Sequence, residues 1–239
     1  AAGLDGVLLE HCLPHYSHKW RPLRMPSHLE PGLARALGYV LGDGNLGKRC
    51  IRMRDERLPV LIAYKKIFAN TFRVKGTIGR IRGKRCYQLA ISCAEITALF
   101  RYLVRDWKEI VPRSDRECVA AFIGGFADAE GSVQEHVHIS SADRSVLEIV
   151  QLLLLRFGVK STIGRAKGAY LLRIAEGTSL ANFRREIDLT ARDKARRLAK
   201  AVAEKTRIGG DLIPIEPEIL WDLAESIGVR PSKFVKHRK

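Results

Sequence analysis

Cysteine pairs are missing from this 239-residue chain. Its five cysteines, Cys12, Cys50, Cys86, Cys93 and Cys118, are odd in number and nowhere spaced Cys-x-x-Cys. That argues against a disulfide framework or a zinc ribbon and fits free thiols in a reducing compartment. Long apolar runs are also absent: none approaches the ~20 residues of a membrane span, so no membrane partner is expected. Ala1–Glu10 lacks a basic region followed by an apolar stretch, so no cleavable signal is expected, and the missing initial Met suggests a start inside a longer chain. The expected location is the cytoplasm, or an organelle in a eukaryotic host. Acidic residues are scarce, with 26 Asp and Glu against 42 Lys and Arg, a net charge of +16. Such an excess implies a polyanionic partner, with nucleic acid the default.

What is present is repeated. Val74-Lys-Gly-Thr-Ile-Gly-Arg80 returns as Val159-Lys-Ser-Thr-Ile-Gly-Arg165, each followed by a basic turn and an alternating apolar run, Tyr87–Ile91 and Tyr170–Ile174. Upstream, Ala34-Arg-Ala-Leu-Gly-Tyr-Val-Leu-Gly-Asp-Gly44 aligns without gaps with Ala121-Phe-Ile-Gly-Gly-Phe-Ala-Asp-Ala-Glu-Gly131. Two words in one order at nearly one separation mark a tandem duplication, whose halves should be related by a pseudo-twofold axis. Each half reads as helix, two strands, helix, two strands, helices: an α+β fold. Helices are expected from Pro31, over about Pro59–Phe72 and Ala94–Trp107, then from a Ser114-x-x-Glu117 capping box, over Ser145–Phe157 and over Ala191–Lys205. Lys48–Arg54 and Gln134–Ser140 alternate apolar with polar residues, as half-buried antiparallel strands do.

Small residues recur every fourth position in both upstream words: Ala34, Gly38, Gly42 and Ala121, Gly125, Ala129. On a helix that spacing is a single stripe, across which two backbones can approach closely. Helical glycine costs roughly 0.5–1 kcal/mol relative to alanine, and close packing is the expected offset. Asp43 and Glu130 then end their helices side by side, each followed by a glycine that can terminate the helix. Two carboxylates at the negative ends of two helix dipoles repel unless a proton or cation is shared. A divalent ion resolves the conflict, and oxygen ligands favour Mg²⁺, with Mn²⁺ as a substitute. Carboxylate-held Mg²⁺ beside a basic surface points to phosphodiester hydrolysis.

Leu37-Gly-Tyr-Val-Leu-Gly-Asp-Gly44 and Ile123-Gly-Gly-Phe-Ala-Asp-Ala-Glu-Gly131 resemble the two signature motifs of the LAGLIDADG homing endonucleases, in the single-chain, double-motif form. The resemblance covers about residues 31–205. It implies two αββαββα halves whose sheets form a saddle on double-stranded DNA. It implies a Mg²⁺-dependent cut of both strands across the minor groove. Asp43 and Glu130 would be the metal ligands, with the carbonyls of Gly42 and Ala129 as further ligands. Family members often carry a Lys or Gln near the metals. The matching region here holds Met53-Arg54 and Ser141-Ala142, which makes Arg54 the candidate catalytic partner, with Lys48, Lys84 and Lys167 as weaker ones. Asp128, where half one has Leu41, reads as structural.

A β-ribbon fits the major groove, so polar side chains on the open sheet face can reach base edges. Alternation assigns Arg52, Arg54, Arg80, Arg82 and Gln88 to that face in half one, with Lys48 and Lys84 in the turns. In half two it assigns Gln134, His136, His138, Ser140, Arg165, Lys167 and Arg173. The halves differ, so a non-palindromic site read by a monomer is expected. The organisation expected is an N-terminal extension (1–30), a first half (31–110), a linker (111–116), a second half (117–205) and a basic tail (206–239). Within the tail, 219–233 resembles part of a helix-turn-helix. His11, Cys12, His15 and His18 read as a surface arm rather than a zinc site. Two binding alternatives stand beside cleavage: an RNA maturase acting on a group I intron, and a DNA-binding regulator without cleavage. No splicing-type ends are evident, so an intron or a free-standing gene is the expected carrier rather than an intein.

Overall fold

The computed structural model describes residues 23–166 and 168–205, together with Ser226 and Gly228. The N-terminal histidines, Lys167 and almost all of the basic tail therefore lie outside the described residues. The chain divides into one unit of Ala1–Arg207 and a second of Ile208–Lys239.

The first unit contains the duplication in full. Helix α1 (Pro31–Asp43), strands β1 (Gly44–Leu46) and β2 (Ile51–Asp55), helix α2 (Leu58–Phe72), strands β3 (Thr77–Arg80) and β4 (Tyr87–Ile91) and helix α3 (Ala94–Ile110) come first. The same series follows as α4 (Arg116–Glu130), β5 (Gly131–Val133), β6 (Val137–Ser141), α5 (Arg144–Leu155), β7 (Thr162–Ala166), β8 (Ala169–Ile174) and α6 (Gly177–Glu186). Helix α7 (Arg192–Glu204) is added at the end. The strands form two antiparallel sheets of equivalent order, β1-β2-β4-β3 and β5-β6-β8-β7. Among the described residues no helix is long and apolar enough to cross a membrane.

Each sheet has one covered face. In β2, Ile51 and Met53 are buried while Arg54 is open; in β6, Val137 and Ile139 are buried beneath His138 and Ser140. Aromatic residues fill the space under the first sheet, with Phe68 against Phe100 at 5.5 Å and Tyr39 against Tyr64 at 4.5 Å between ring centroids.

The two motif helices pack through their small residues, and the contacts are reciprocal. A methyl group at Gly38 would overlap the Phe122 carbonyl oxygen and stand 2.8 Å from the Phe126 nitrogen. One at Gly125 would overlap the Arg35 carbonyl oxygen and stand 3.1 Å from the Tyr39 nitrogen. In the gapless alignment Arg35 corresponds to Phe122 and Tyr39 to Phe126, so each glycine meets the twofold mate of the residues its partner meets.

Two local expectations change. The capping box does not form: Asp115 is the N-cap of α4, and Ser114 turns back to donate to the Ile110 carbonyl at 2.8 Å. The glycines after the acids are not left-handed terminators. Gly44 and Gly131 have φ of −87° and −84°. They are needed because each helix turns directly into a strand, and a methyl at Gly44 would lie 2.5 Å from Val40 Cα.

The repeat also differs at the end of its second helix. Half two uses Gly158 at φ +66°, whereas half one places Arg73 at φ +60°. A left-handed non-glycine residue costs roughly 1–2 kcal/mol, partly returned as lower entropy in the unfolded chain. Arg73→Gly should therefore stabilise the fold by about 0.5–1 kcal/mol, read as a rise in the denaturation midpoint; a lowered midpoint would show that the Arg73 side chain matters more than its backbone.

Candidate nuclease site

The stripe contact continues to the ends of both motif helices. A methyl at Gly42 would lie 2.8 Å from Ala129 Cβ and 2.9 Å from Glu130 Cγ. Asp43 and Glu130 are thereby brought to adjoining helix ends, Glu130 half-buried and Asp43 exposed. The last carbonyls serving these helices internally are Val40 and Ala127, so those of Gly42 and Ala129 lie beyond the helical ladder.

Both acids hold their protons more tightly than ordinary carboxylates. For Asp43 the first cause is burial, then the charge of Asp55, opposed by Arg54. For Glu130 burial again leads, with the charge of Asp43 adding to it; the Ser140 hydroxyl and Lys194 oppose the rise. Such a pair favours anything that brings positive charge. Among the described residues no cluster of three or more His, Cys, Asp or Glu is arranged to hold a metal. The donor set nevertheless suits Mg²⁺, which is commonly held by one or two carboxylates with water and substrate phosphates completing the shell.

Beside Asp43 opens a cleft of about 380 Å³, lined by Tyr39, Asp43, Arg54, Asp55, Glu56, Arg57, Cys86, Ala129 and Asp193. Asp55 is not available there as a ligand. It takes Arg57 Nε at 2.8 Å and Arg57 Nη2 at 2.9 Å, and the Tyr39 hydroxyl lies 3.3 Å away. Arg54 is exposed beside Asp43, and its Nε donates to Gln88 Oε1 at 3.3 Å across the β2–β4 pair.

Sheet register identifies the position that corresponds to Arg54. Gly44 pairs with Met53 and Gly131 with Ile139, so Met53-Arg54 matches Ile139-Ser140, two residues before the Ser141-Ala142 pair expected from sequence. Ser140 is turned to the acid: its hydroxyl lies 3.3 Å from Glu130 Oε2.

Asp128 is structural, as its sequence position suggested. It is fully buried and accepts from Arg35 at 3.2 Å, Tyr64 at 2.9 Å, and the backbone nitrogens of Thr190 and Ala191 at 2.9 and 3.3 Å. This network ties α1, α2 and the segment leading into α7 to the end of α4.

Lys194 was missed. It lies on α7 and is buried, and its Nζ donates to the carbonyls of Ala127 at 2.9 Å and Asp128 at 2.6 Å. Burial lowers its pKa to about 8. It places a cation at the negative end of α4, the favourable location for one. The available signal was a lysine on the apolar stripe of an amphipathic helix, four residues before Leu198 and seven before Ala201. Lys194→Met should remove the charged donor from both carbonyls, leaving Ala127 with the Gly131 nitrogen and Asp128 with only Arg57 Nη2 at 3.5 Å, and destabilise the fold by about 1–3 kcal/mol. If its denaturation midpoint instead equals that of the native chain, these hydrogen bonds contribute nothing net.

The open sheet faces agree with the sequence in part. Arg52, Arg54 and Gln88 share one face in half one; His138, Ser140 and Arg173 share it in half two. Arg80 and Arg165 do not. They pair with Tyr87 and Tyr170, which puts them in register with Ile78 and Ile163, the helix-covered side, although at the sheet ends both are exposed. Their neighbours Thr77, Gly79, Thr162 and Gly164 take the open face instead, with Asn45 and Ser132 on the edge strands. Lys48, Arg82 and Lys84 lie in the half-one turns, and Gln134 and His136 in the β5–β6 turn.

A family model described as a LAGLIDADG-like domain matches residues 117–188. Among solved structures, an I-DmoI variant in complex with its target DNA and Mn is 23% identical, covering 67% of this chain and 97% of that one at a TM-score of 0.56. Full-length DUF199/WhiA from Thermatoga maritima is 16% identical, covering 86% and 69% at 0.58. Among curated proteins, glutamine–fructose-6-phosphate aminotransferase of Methanocaldococcus jannaschii is 28% identical over 92% of this chain and 22% of its own length. Elongation factor 2 of Methanopyrus kandleri is 34% identical over 85% and 16%. The chain thus spans about a fifth of the curated relatives it matches.

Proposed function

We propose that this chain, whose residues 117–188 match a LAGLIDADG-like domain and whose fold is that of I-DmoI, is a LAGLIDADG homing endonuclease with both motifs on one polypeptide: a site-specific, Mg²⁺-dependent double-strand DNA endonuclease. The observation that carries this reading is the reciprocal glycine packing that delivers Asp43 and Glu130, both reluctant to ionise, to adjoining helix ends. DNA lies across the open faces of the two sheets, with Arg52, Arg54 and Gln88 on one half-site and His138, Ser140 and Arg173 on the other. Of these, Arg and Gln suit guanine and adenine edges, and several serve only to grip phosphate.

Asp43 and Glu130, with the carbonyls of Gly42 and Ala129, hold the divalent ion. When bound, that ion activates water and stabilises the leaving oxygen. Arg54 stands on the Asp43 side as a cation for the scissile phosphate. Ser140 orients Glu130 from the equivalent position. Lys194 fixes the last turn of α4 and offsets its dipole, so that Glu130 can ionise when metal arrives. The I-DmoI structures with Mn, Mg and Ca support a divalent ion at such a fold. The WhiA likeness leaves DNA binding without cleavage as the second reading. An acid at the end of both motif helices favours cleavage.

The relatives also change the expected carrier. An aminotransferase and an elongation factor have no common activity, yet each aligns with this chain over about a fifth of its length. We infer that such a chain is an insert carried within otherwise unrelated proteins, rather than the product of an intron or a free-standing gene. The contrary expectation drew on the chain ends, which a segment of a longer protein need not reveal. The target would then be a host gene lacking the insert. Incubation of a library of uninterrupted host-gene sites with the protein and Mg²⁺ should yield cuts confined to one sequence, lost on chelation. Binding without cutting at any divalent-ion concentration would favour the second reading.

A further inference from the structure

Helix α7 has no counterpart in the first half, and its outer surface has no role in the site. Its thirteen residues run for about 20 Å. At its start Lys194 grips the end of α4, and Asp193 lines the cleft beside Asp43. Just past its end, Lys205 Nζ meets His136 Nδ1 at 2.9 Å in the β5–β6 turn and also contacts the Ala175 carbonyl. The helix therefore follows β5, an edge strand of its sheet, from the cleft to the turn.

Its exposed side is basic. Arg192, Arg196 and Lys200 form one i, i+4, i+8 row, with Arg197 beside it, and all four are exposed. Successive members of such a row stand about 6 Å apart. Among the described residues no carboxylate pairs with Arg192, Arg196 or Arg197, and Lys200 has only a 3.6 Å pair with Glu204, exposed on both sides. A solvated surface helix commonly interleaves both signs, as Arg144 and Glu148 do on α5. An unneutralised row of regular spacing along the border of a sheet suits a polymer with regularly spaced negative charge.

We propose that the outer face of α7 is a phosphate rail, gripping the backbone of duplex DNA beside the second sheet rather than reading bases on it. This rests on the DNA-binding reading above and adds a contact surface outside the sheets. The rail contributes affinity and register but no sequence information.

The test is equilibrium binding of the cognate duplex to the native chain and to the fourfold variant Arg192→Gln, Arg196→Gln, Arg197→Gln, Lys200→Gln, without divalent ion, over a range of salt. Losing four phosphate contacts should reduce the slope of log affinity against log salt by about 3.6 and weaken binding at least roughly 10- to 100-fold near 0.1 M salt. The backbone footprint should shorten on the second half-site, while the preferred sequence stays fixed. All four side chains are exposed, so the denaturation midpoint should hardly move, and a matched midpoint excludes misfolding as the cause. Native protein that binds tightly while the variant shows the same slope and footprint overturns the rail alone. Native protein that binds no duplex overturns the rail and the DNA reading together.

Discussion

Gly125→Ala should be among the most damaging single-methyl changes in the chain. The added carbon would sit inside the Arg35 carbonyl oxygen and 2.9 Å from the Arg35 carbonyl carbon, and both obstacles are helix backbone that no rotamer change can move aside. The helices must separate, and the loss extends along the whole stripe, from Ala34 to Gly42 and from Ala121 to Ala129. A cost of about 3–5 kcal/mol is expected, a large part of a typical 5–15 kcal/mol stability. Gly38→Ala should cost as much, because a methyl there overlaps the Phe122 carbonyl oxygen. Gly79→Ala and Gly164→Ala supply the comparison: nothing lies within 4 Å of either new methyl, so each should change stability by less than about 1 kcal/mol. Chemical denaturation of the four variants decides the matter. If Gly38→Ala and Gly125→Ala unfold like the two strand variants, the helices do not meet through this stripe.

That stripe was legible because it depends on spacing within one segment and on its recurrence in another. The same holds for the αββαββα order, for the placement of Asp43 and Glu130, and for Asp128, whose lack of an acidic counterpart at Leu41 marked it as structural. Features set by pairing between distant segments were not legible. Arg80 and Arg165 sit in alternating runs, but their side of the sheet is fixed by pairing with Tyr87 and Tyr170, and no run of sequence records that register. The mate of Arg54 was misplaced by two residues for the same reason. Lys194 acts across more than sixty positions, on carbonyls that carry no side-chain signature. The two glycines after the acids were recognised, but for conformational freedom, whereas their backbones are extended and their small size is what counts.

The other large effect concerns the acids, and it has two readouts of opposite sign. A carboxylate whose folded pKa is raised binds its proton more tightly in the folded than in the unfolded chain. Stability therefore falls as pH rises from the ordinary carboxylate range through the raised value, and at neutral pH the ionised group is a net cost. Asp43→Asn and Glu130→Gln remove that cost, so both should raise the denaturation midpoint of the metal-free protein. The gain over the native chain should shrink in Mg²⁺, which offsets the same repulsion where the acids are intact. Catalysis should move the other way. Losing a ligand that supplies about 4 kcal/mol of transition-state stabilisation slows cleavage about a thousandfold. A merely structural acid would lower stability and activity together.

The most direct test is cleavage of the cognate duplex in Mg²⁺ by the native chain, Asp43→Asn and Glu130→Gln, with DNA affinity measured alongside. The proposed function predicts that both variants keep their affinity and lose double-strand cutting about a thousandfold. Cutting at the native rate by both variants would contradict the assignment of Asp43 and Glu130 as the paired metal-binding acids.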